Sequence, residues 1–206
     1  MNNTQNTKGT NEKAAEYRPQ LAFYHPNTRG TGSAVKFELH PAHGNSSGCI
    51  MMSLANQFVP EARARQDQPQ FARFDWERRI VVKLDFADLS HMLIVFKGVK
   101  ESIGDQKGLY HRSANAVTRI LLRHVVEPVV GYSLDVYRTD ANKEERKAHI
   151  FLSDPEVIGL SCAIEGSMSV IAFGIPKIIP HDTSAYRAQY QAARASEERG
   201  NVRAMA

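Results

Sequence analysis

The chain contains the same pattern twice: a series of strands with alternating apolar residues, followed by one apolar helix. The first copy covers about residues 20–98 and the second about residues 107–175. Period-two alternation buries one face of a strand, whereas spacings of three and four residues bury one face of a helix. The repeat predicts an α+β fold made of two strand–strand–strand–helix units. Because cations recur along the strands, the pattern favours a binding surface over a catalytic pocket.

The strands are predicted from alternation and from the turn residues between them. Residues 35–40 alternate strictly, and charged residues 140–146 indicate a hairpin tip. Further strands are predicted over residues 49–55, 79–86, 109–112, 116–127, 132–138 and 148–152.

Helix starts are marked by capping residues. Asp85 precedes a helical stripe and has an acid, Asp88, three residues later. The segment Ser153-Asp-Pro-Glu156 is a capping box with proline in the first turn. The second helix, to about Phe173, has a wide apolar face and is expected to be central.

The composition predicts one domain over residues 18–178, flanked by a polar tail over 1–17 and a basic, alanine-rich tail over 179–206. The net charge of +4 favours a polyanionic partner only weakly. Cys49 and Cys162 lie far apart, which argues against a zinc knuckle or a disulfide framework. Acidic residues and serines interrupt the most apolar stretch, so no membrane span is expected, and we expect a cytoplasmic protein.

Four local motifs, in order, resemble the Whirly proteins, a plant family that binds single-stranded DNA. They are Phe74-Asp-Trp-Glu-Arg78; Lys100-Glu-Ser-Ile103 before Tyr110-His111; Val126-Glu-Pro128 before Gly131-Tyr-Ser-Leu-Asp-Val136; and the closing apolar helix. The similarity covers roughly residues 20–176.

The resemblance implies an α+β, Whirly-like fold in which two repeated units of four strands and a helix form two antiparallel sheets packed on helices. That fold is shared with guide-RNA-binding proteins of kinetoplastids and, more distantly, with the coactivator positive cofactor four. It also implies a homotetramer with its helices in the middle and with single strands lying across the sheets, with little sequence preference. Ser33 stands where the family has the second lysine of its Lys-Gly-Lys segment, so assembly beyond a tetramer is in doubt. A bacterial relative, which the missing plant features suggest, would associate with the nucleoid.

Binding of single strands requires cations along the phosphates and flat side chains on which bases stack. The predicted outward strand positions supply both kinds of side chain. The predicted nucleic-acid-binding residues are Tyr24, Lys36, Lys83, Tyr110, Arg112, Arg119, Arg123 and Arg138. Tyr132 and Tyr137 are further stacking candidates, whereas Phe37 is expected in the core and Trp76 is expected to anchor the preceding loop.

Other chemistries find little support in the sequence. His40, His43 and Cys49 could hint at metal ligands, but Pro41 prevents a helix that would align the two histidines. The glycines of residues 30–32 do not belong to a G-x-x-x-x-G-K-[ST] phosphate-binding loop. Neither a nucleophile elbow nor an H-E-x-x-H motif occurs in the sequence. We therefore expect no enzyme, no metal, no cofactor and no small-molecule substrate.

The sequence thus predicts a single-stranded DNA-binding homotetramer that protects or organises strands in replication, recombination or transcription. Two alternatives remain open: a single-stranded RNA-binding module on the same fold, and a non-enzymatic assembly scaffold that binds peptides.

Overall fold

Two four-stranded antiparallel sheets, each followed by a helix, make up the described part of the chain, so the predicted fold class is confirmed. The computed structural model describes residues 20–58 and 71–175, and both predicted tails lie outside these ranges. The first sheet consists of β1 (Gln20–His25), β2 (Ser33–His40), β3 (Cys49–Asn56) and β4 (Ile80–Leu84), followed by α1 (Phe86–Phe96). The second consists of β5 (Leu109–Arg112), β6 (Ala116–Val125), β7 (Gly131–Asp140) and β8 (Glu145–Leu152), followed by α2 (Asp154–Phe173).

Each sheet has a core face and an outer face, because successive side chains in a strand point to opposite sides. On the first sheet, Val35 pairs with Leu54 and Phe37 with Met52, and all four side chains are buried on the core face. The equivalent buried layer of the second sheet consists of Ile120, Leu122, Leu134, Val136, Ala148 and Ile150. The two core faces share one hydrophobic cluster, in which β8 contacts β2, β3 and β4.

The turn between β7 and β8 covers residues 141–144 and lies inside the predicted tip of residues 140–146, but it is shorter than predicted because Asp140, Glu145 and Arg146 belong to the strands. Strand β7 extends to Asp140 and β8 begins at Glu145, so charged residues pair across the ladder. Arg138 stands opposite Arg146. The carboxylate of Asp140 accepts hydrogen bonds at 2.8 Å from both guanidinium groups, which offsets the repulsion between like charges.

Both predicted capping boxes are present and begin the two helices where the sequence indicated. Asp85 accepts from the backbone N–H of Asp88, whose carboxylate accepts from the backbone N–H of Asp85, each at 3.0 Å. In α2, Glu156 accepts in the same way from the backbone of Ser153. Because Asp85 caps α1, β4 ends at Leu84 and is shorter than predicted.

A histidine in the first strand of each repeat contacts the capping acid of the other repeat's helix. His25 at the end of β1 lies 2.7 Å from Glu156 in α2. His111 in β5 lies 3.0 Å from Asp88 in α1. Each histidine follows a tyrosine, Tyr24 or Tyr110. The two Tyr-His pairs therefore occupy equivalent positions in the two edge strands, and each histidine links its own repeat to the helix of the other repeat.

The contact of Glu156 predicts a pH-dependent stability. Burial raises the pKa of this carboxyl, but hydrogen bonds from His25 and Ser153 outweigh burial, so the pKa lies below its usual value. A carboxyl with a lowered pKa stabilises the fold above its unfolded pKa, and the contribution disappears as pH falls through the folded pKa. We expect Glu156→Gln to lower the free energy of unfolding by about 1–2 kcal/mol at pH 7. In urea titrations that loss should shrink steadily below about pH 4, and a loss independent of pH would contradict this account.

Helix α2 is buried on one side only, although the sequence predicted a central helix. Its side chains Val157, Leu160, Ile164 and Ile171 enter the core. The opposite face is largely exposed and mostly uncharged, and consists of Ile158, Gly159, Cys162, Ala163, Gly166, Ser169, Val170 and Phe173, with Glu165 at one edge, where it pairs with Lys97 at 2.8 Å. By length and composition alone α2 meets the criteria for a membrane-spanning helix, with a mean hydropathy of 1.5 and 22% of that stretch buried; the core helix of a soluble protein meets the same criteria.

Candidate nucleic-acid interface

The outer face of the second sheet brings four of the predicted binding residues together. Tyr110 stands opposite Arg119 across β5 and β6, and Arg112 stands opposite Val117 one pair further along the same face. The Arg119 guanidinium lies 5.6 Å from the centre of the Tyr110 ring, within range of a cation–π contact. The Tyr110 side chain is 60% exposed, and Arg123 is also exposed on this face. A cation and an accessible ring therefore lie side by side here.

The Arg119 side chain is held in place by the backbone. Its Nε donates a hydrogen bond of 2.9 Å to the carbonyl oxygen of Lys107, in the loop before β5. This bond uses one of the guanidinium donors and leaves the others for an external acceptor. The position of the charge beside Tyr110 is thus fixed before any ligand arrives.

The outer face of the first sheet holds the other predicted tyrosine and both predicted lysines. Tyr24 is 49% exposed and is the counterpart of Tyr110 in the repeat. Lys36 lies opposite Ser53 in β3, and Lys83 lies opposite Met51, so both side chains share the face with Tyr24.

Trp76 belongs to this same outer face. The Lys36 ammonium lies 4.3 Å from the centre of the Trp76 ring, and the Tyr24 ring lies 6.3 Å from it. Phe74 completes the cluster, with its ring centre 5.6 Å from that of Tyr24. Trp76 does pack, as the sequence suggested, but it packs beside two predicted binding residues. No hydrophobic periodicity in the sequence predicts that the segment carrying Phe74 and Trp76 lies over β1 and β2.

Arg138 is not brought together with the other predicted residues. It pairs with Thr118, whose side chain is buried on the core face, so it points away from Arg119. Its Nε donates to Asp140 at 2.8 Å, and the side chain is mostly buried. Arg138 therefore stabilises the β7–β8 hairpin in this structure.

Two further aromatic expectations have different outcomes. Phe37 lies in the core as predicted. Tyr132, a stacking candidate, lies on the core side, where it packs on Phe96 and His124 with ring centres 5.6 Å and 4.9 Å away. Burial and the nearby Asp154 raise the pKa of its hydroxyl. The structure therefore does not place Tyr132 on the outer face with the other stacking candidates; its ring is partly buried against the core.

Tyr137 and Lys147 extend the outer face of the second sheet. Arg119 stands opposite Tyr137 across β6 and β7, and Tyr137 stands opposite Lys147 across β7 and β8. The Lys147 ammonium lies 5.0 Å from the centre of the Tyr137 ring. A hydrogen bond to the hydroxyl of Tyr137 raises the pKa of the lysine. Lys147 lay between the predicted hairpin tip, residues 140–146, and the strand predicted over residues 148–152, so the sequence did not predict this alignment.

A buried carboxylate organises the middle of this face. Asp135 accepts hydrogen bonds from Ser133 Oγ at 2.9 Å and from the ring of His149 at 3.1 Å. Burial raises the pKa of Asp135, but these bonds and the nearby Lys147 outweigh burial, and the pKa lies below its usual value. Asp135 is therefore ionised at neutral pH; it holds the ring of His149 in position and lies 3.9 Å from the Lys147 ammonium.

One of the two histidines considered as metal ligands contacts a neighbouring carboxylate. His40 lies 3.0 Å from Glu38 on the same strand. Within residues 20–58 and 71–175, no group of three or more His, Cys, Asp and Glu side chains could hold a metal ion.

The fold is similar to that of solved structures whose sequences differ greatly from this one. WHY1 from Arabidopsis thaliana aligns at a TM-score of 0.59, with 11% identity over 87% of this chain and 94% of that chain. WHY3 from the same plant gives 0.59, with 12% identity over 88% and 99%. The chain has the Whirly fold. A guide-RNA-binding protein complex bound to a guide RNA aligns at 0.50, with 14% identity over 75% and 92%.

The Whirly fold is reached here by a sequence far from those relatives. No family model matches the chain, and no characterised protein matches it in sequence. The segment from Phe74 to Arg78, on which the resemblance partly rested, lies against the outer face of the first sheet through Phe74 and Trp76. The segment from Val126 to Pro128 joins β6 to β7. These two motifs thus occupy connections between strands of the Whirly fold.

Proposed function

We propose that this chain binds single-stranded nucleic acid, DNA in the first place, on the outer faces of its two sheets and with little sequence preference. Binding would protect or organise strands during replication, recombination or transcription, without catalysis. One observation carries the proposal: each outer face holds an exposed tyrosine and a cation that contacts an aromatic ring, and the two tyrosines occupy equivalent positions in the two repeats.

The side chains on the two faces can contact both the bases and the phosphates of a single strand. Bases would stack on Tyr24 and Tyr110, each stacked base contributing about 1–3 kcal/mol. Phosphates would lie along Lys36, Lys83, Arg112, Arg119 and Arg123. Such contacts read no base edges, which explains the low sequence preference. They release counterions, so the affinity should fall steeply as salt rises.

RNA is the second candidate, because one structure of similar fold is bound to a guide RNA. Fluorescence anisotropy of labelled DNA and RNA strands of about 30 nucleotides and identical sequence tests the choice. Tighter binding of DNA would support the proposal as stated. Tighter binding of RNA would favour the second candidate, single-stranded RNA, as the ligand. Absence of binding to either strand would overturn the proposal of nucleic-acid binding.

We also propose that the chain forms a homotetramer through α2. Its exposed face is mostly apolar and carries Ile158, which is 65% exposed, and Phe173. The carboxylate of Glu165, at the edge of this face, is already paired with Lys97 at 2.8 Å. Gly159, Ala163 and Gly166 lie between Ile158 and Phe173 and would let a second helix approach closely. Contiguous apolar faces of this kind on soluble proteins mark interaction sites, and a second copy of the chain supplies a complementary helix.

Substitution of the helix glycines separates assembly from folding. A Cβ added at Gly159 or Gly166 meets no other atom within 4 Å in the protomer. We expect Gly166→Leu to leave the protomer folded, with helix propensity raised by about 0.5–1 kcal/mol, but to block close packing of helices. Light scattering should give four times the protomer mass of 23.0 kDa for the unaltered chain and a lower mass for the variant. An unchanged mass for Gly166→Leu would exclude this face from the interface.

A further inference from the structure

A cleft opens at one end of the core, between the first sheet and the β7–β8 hairpin. Its volume is about 560 Å³, within the range of sites that hold small organic ligands. Its inner wall is apolar and consists of Leu54, Ile80 and Ala148, which are buried core residues. The cleft is separate from the tyrosines on the outer faces.

The rim of the cleft is mostly polar and carries charges of both signs. It is lined by Asn56, Gln57, Phe58, Asp75, Arg78, Glu144, Arg146 and Lys147. Three cations therefore face two carboxylates, and one of these, Asp75, already accepts a hydrogen bond of 2.6 Å from Arg78. The Asn56 side chain donates to the carbonyl oxygen of Lys147 at 3.0 Å and holds the two sides of the cleft at a fixed separation.

Arg146 is incompletely hydrogen-bonded. Its Nη2 donates to Asp140 at 2.8 Å, but its buried Nε has no acceptor among the residues that the structure describes. A buried donor without a partner destabilises the fold, because it has lost its hydrogen bond to water. A small rotation of the guanidinium toward the cleft would give Nε an anionic acceptor placed there.

Phe58 gives the same cleft a flat apolar surface. Its side chain is 42% exposed at the rim, and the Arg73 guanidinium lies 5.8 Å from its ring centre. A ligand that matches this site has a planar apolar part for Phe58 and the inner wall, and an anionic part for Arg78 and Arg146. A nucleotide has both.

We propose that the cleft holds one nucleotide of the bound strand, with its base against Phe58 and its phosphate between Arg78 and Arg146. This proposal rests on the proposed function, because the nucleotide belongs to the single strand that the outer faces bind. Lys147 connects the two sites, because it lines the cleft and also lies over Tyr137 on the outer face of the second sheet. A strand crossing that face can therefore turn its end into the cleft.

The test uses thymidine 5′-monophosphate and the full chain. Saturation-transfer difference NMR should show the strongest transfer to the thymine protons, and titration should give tighter binding than for thymidine or inorganic phosphate. Arg146→Met should weaken thymidine monophosphate binding about tenfold through loss of charged hydrogen bonds. Phe58→Leu should weaken it about fivefold through loss of stacking. Lys143→Met is the matched control, because Lys143 is exposed at the hairpin turn and does not line the cleft.

Competition separates the outcomes. A single strand of about 30 nucleotides should displace the monophosphate, and simultaneous binding would overturn the proposal by making the cleft a site for free nucleotide. Equal affinity for phosphate and monophosphate would also overturn it, as would an unaltered affinity in both cleft variants. If the strand binds but the monophosphate does not, the cleft proposal fails alone; if neither binds, the proposed function fails too.

Discussion

Charge reversal on the outer face of the second sheet should have the largest effect on binding. We expect Arg119→Glu combined with Arg123→Glu to weaken binding of single-stranded DNA about a hundredfold or more at low salt. Both cations lie on one face beside Tyr110, so the variant loses two phosphate contacts and adds repulsion. Fluorescence anisotropy over a salt series should also show a slope of log affinity against log salt that is shallower by about 1.4.

The matched control changes charge by the same amount elsewhere. Arg29 and Lys143 are exposed in turns, away from the outer faces. Arg29→Glu combined with Lys143→Glu should reduce affinity only severalfold, through the net charge alone. If both double variants lose affinity equally, binding depends on overall charge and the outer face has no special role. Circular dichroism melts establish that both variants fold.

The largest effect on stability is expected at Gly108, just before β5. Its φ of +82° lies in the left-handed region, and an added Cβ would collide with the carbonyl oxygen of Ile120. Because that oxygen belongs to the neighbouring strand, it cannot move without disturbing the pairing of β5 with β6. We expect Gly108→Ala to lower the free energy of unfolding by about 3 kcal/mol or more, measured by urea denaturation.

Gly98 supplies the comparison for this substitution. Its φ of +68° is similar, but an added Cβ meets no atom within 4 Å. Gly98→Ala should therefore cost only about 1 kcal/mol, the cost of the backbone conformation alone. Equal losses at the two positions would show that close contact with Ile120 is unimportant.

Much of the fold could be predicted because local signals and tertiary packing agree. Alternation in residues 35–40 placed Phe37 in the core, and the capping boxes at Asp85 and Ser153 located both helix starts. The β8 boundary was missed because Glu145, Arg146 and Lys147 resemble a solvated turn. Their place in the ladder depends on Asp140, a partner that local sequence does not reveal.

The candidate site was only partly predictable for a similar reason. Period two correctly places Lys36, Arg119 and Arg123 on outer faces, because neighbours in a strand fix the side to which each points. The same parity puts Arg138 on the core side with Leu134 and Val136, so alternation within β7 already argues against its assignment to the outer face. The position of Trp76 over Lys36 depends on how an irregular segment folds back, for which the sequence has no periodic signal.

The most direct test of the account compares single-stranded with duplex DNA of the same sequence. Anisotropy of a labelled strand of about 30 nucleotides, free or annealed, would be measured at about 50 mM and about 200 mM salt. Exposed rings on both outer faces predict tighter binding of the single strand at both concentrations, with affinity falling as salt rises. Equal affinity for strand and duplex would contradict the account, because stacking on Tyr24 and Tyr110 requires unpaired bases.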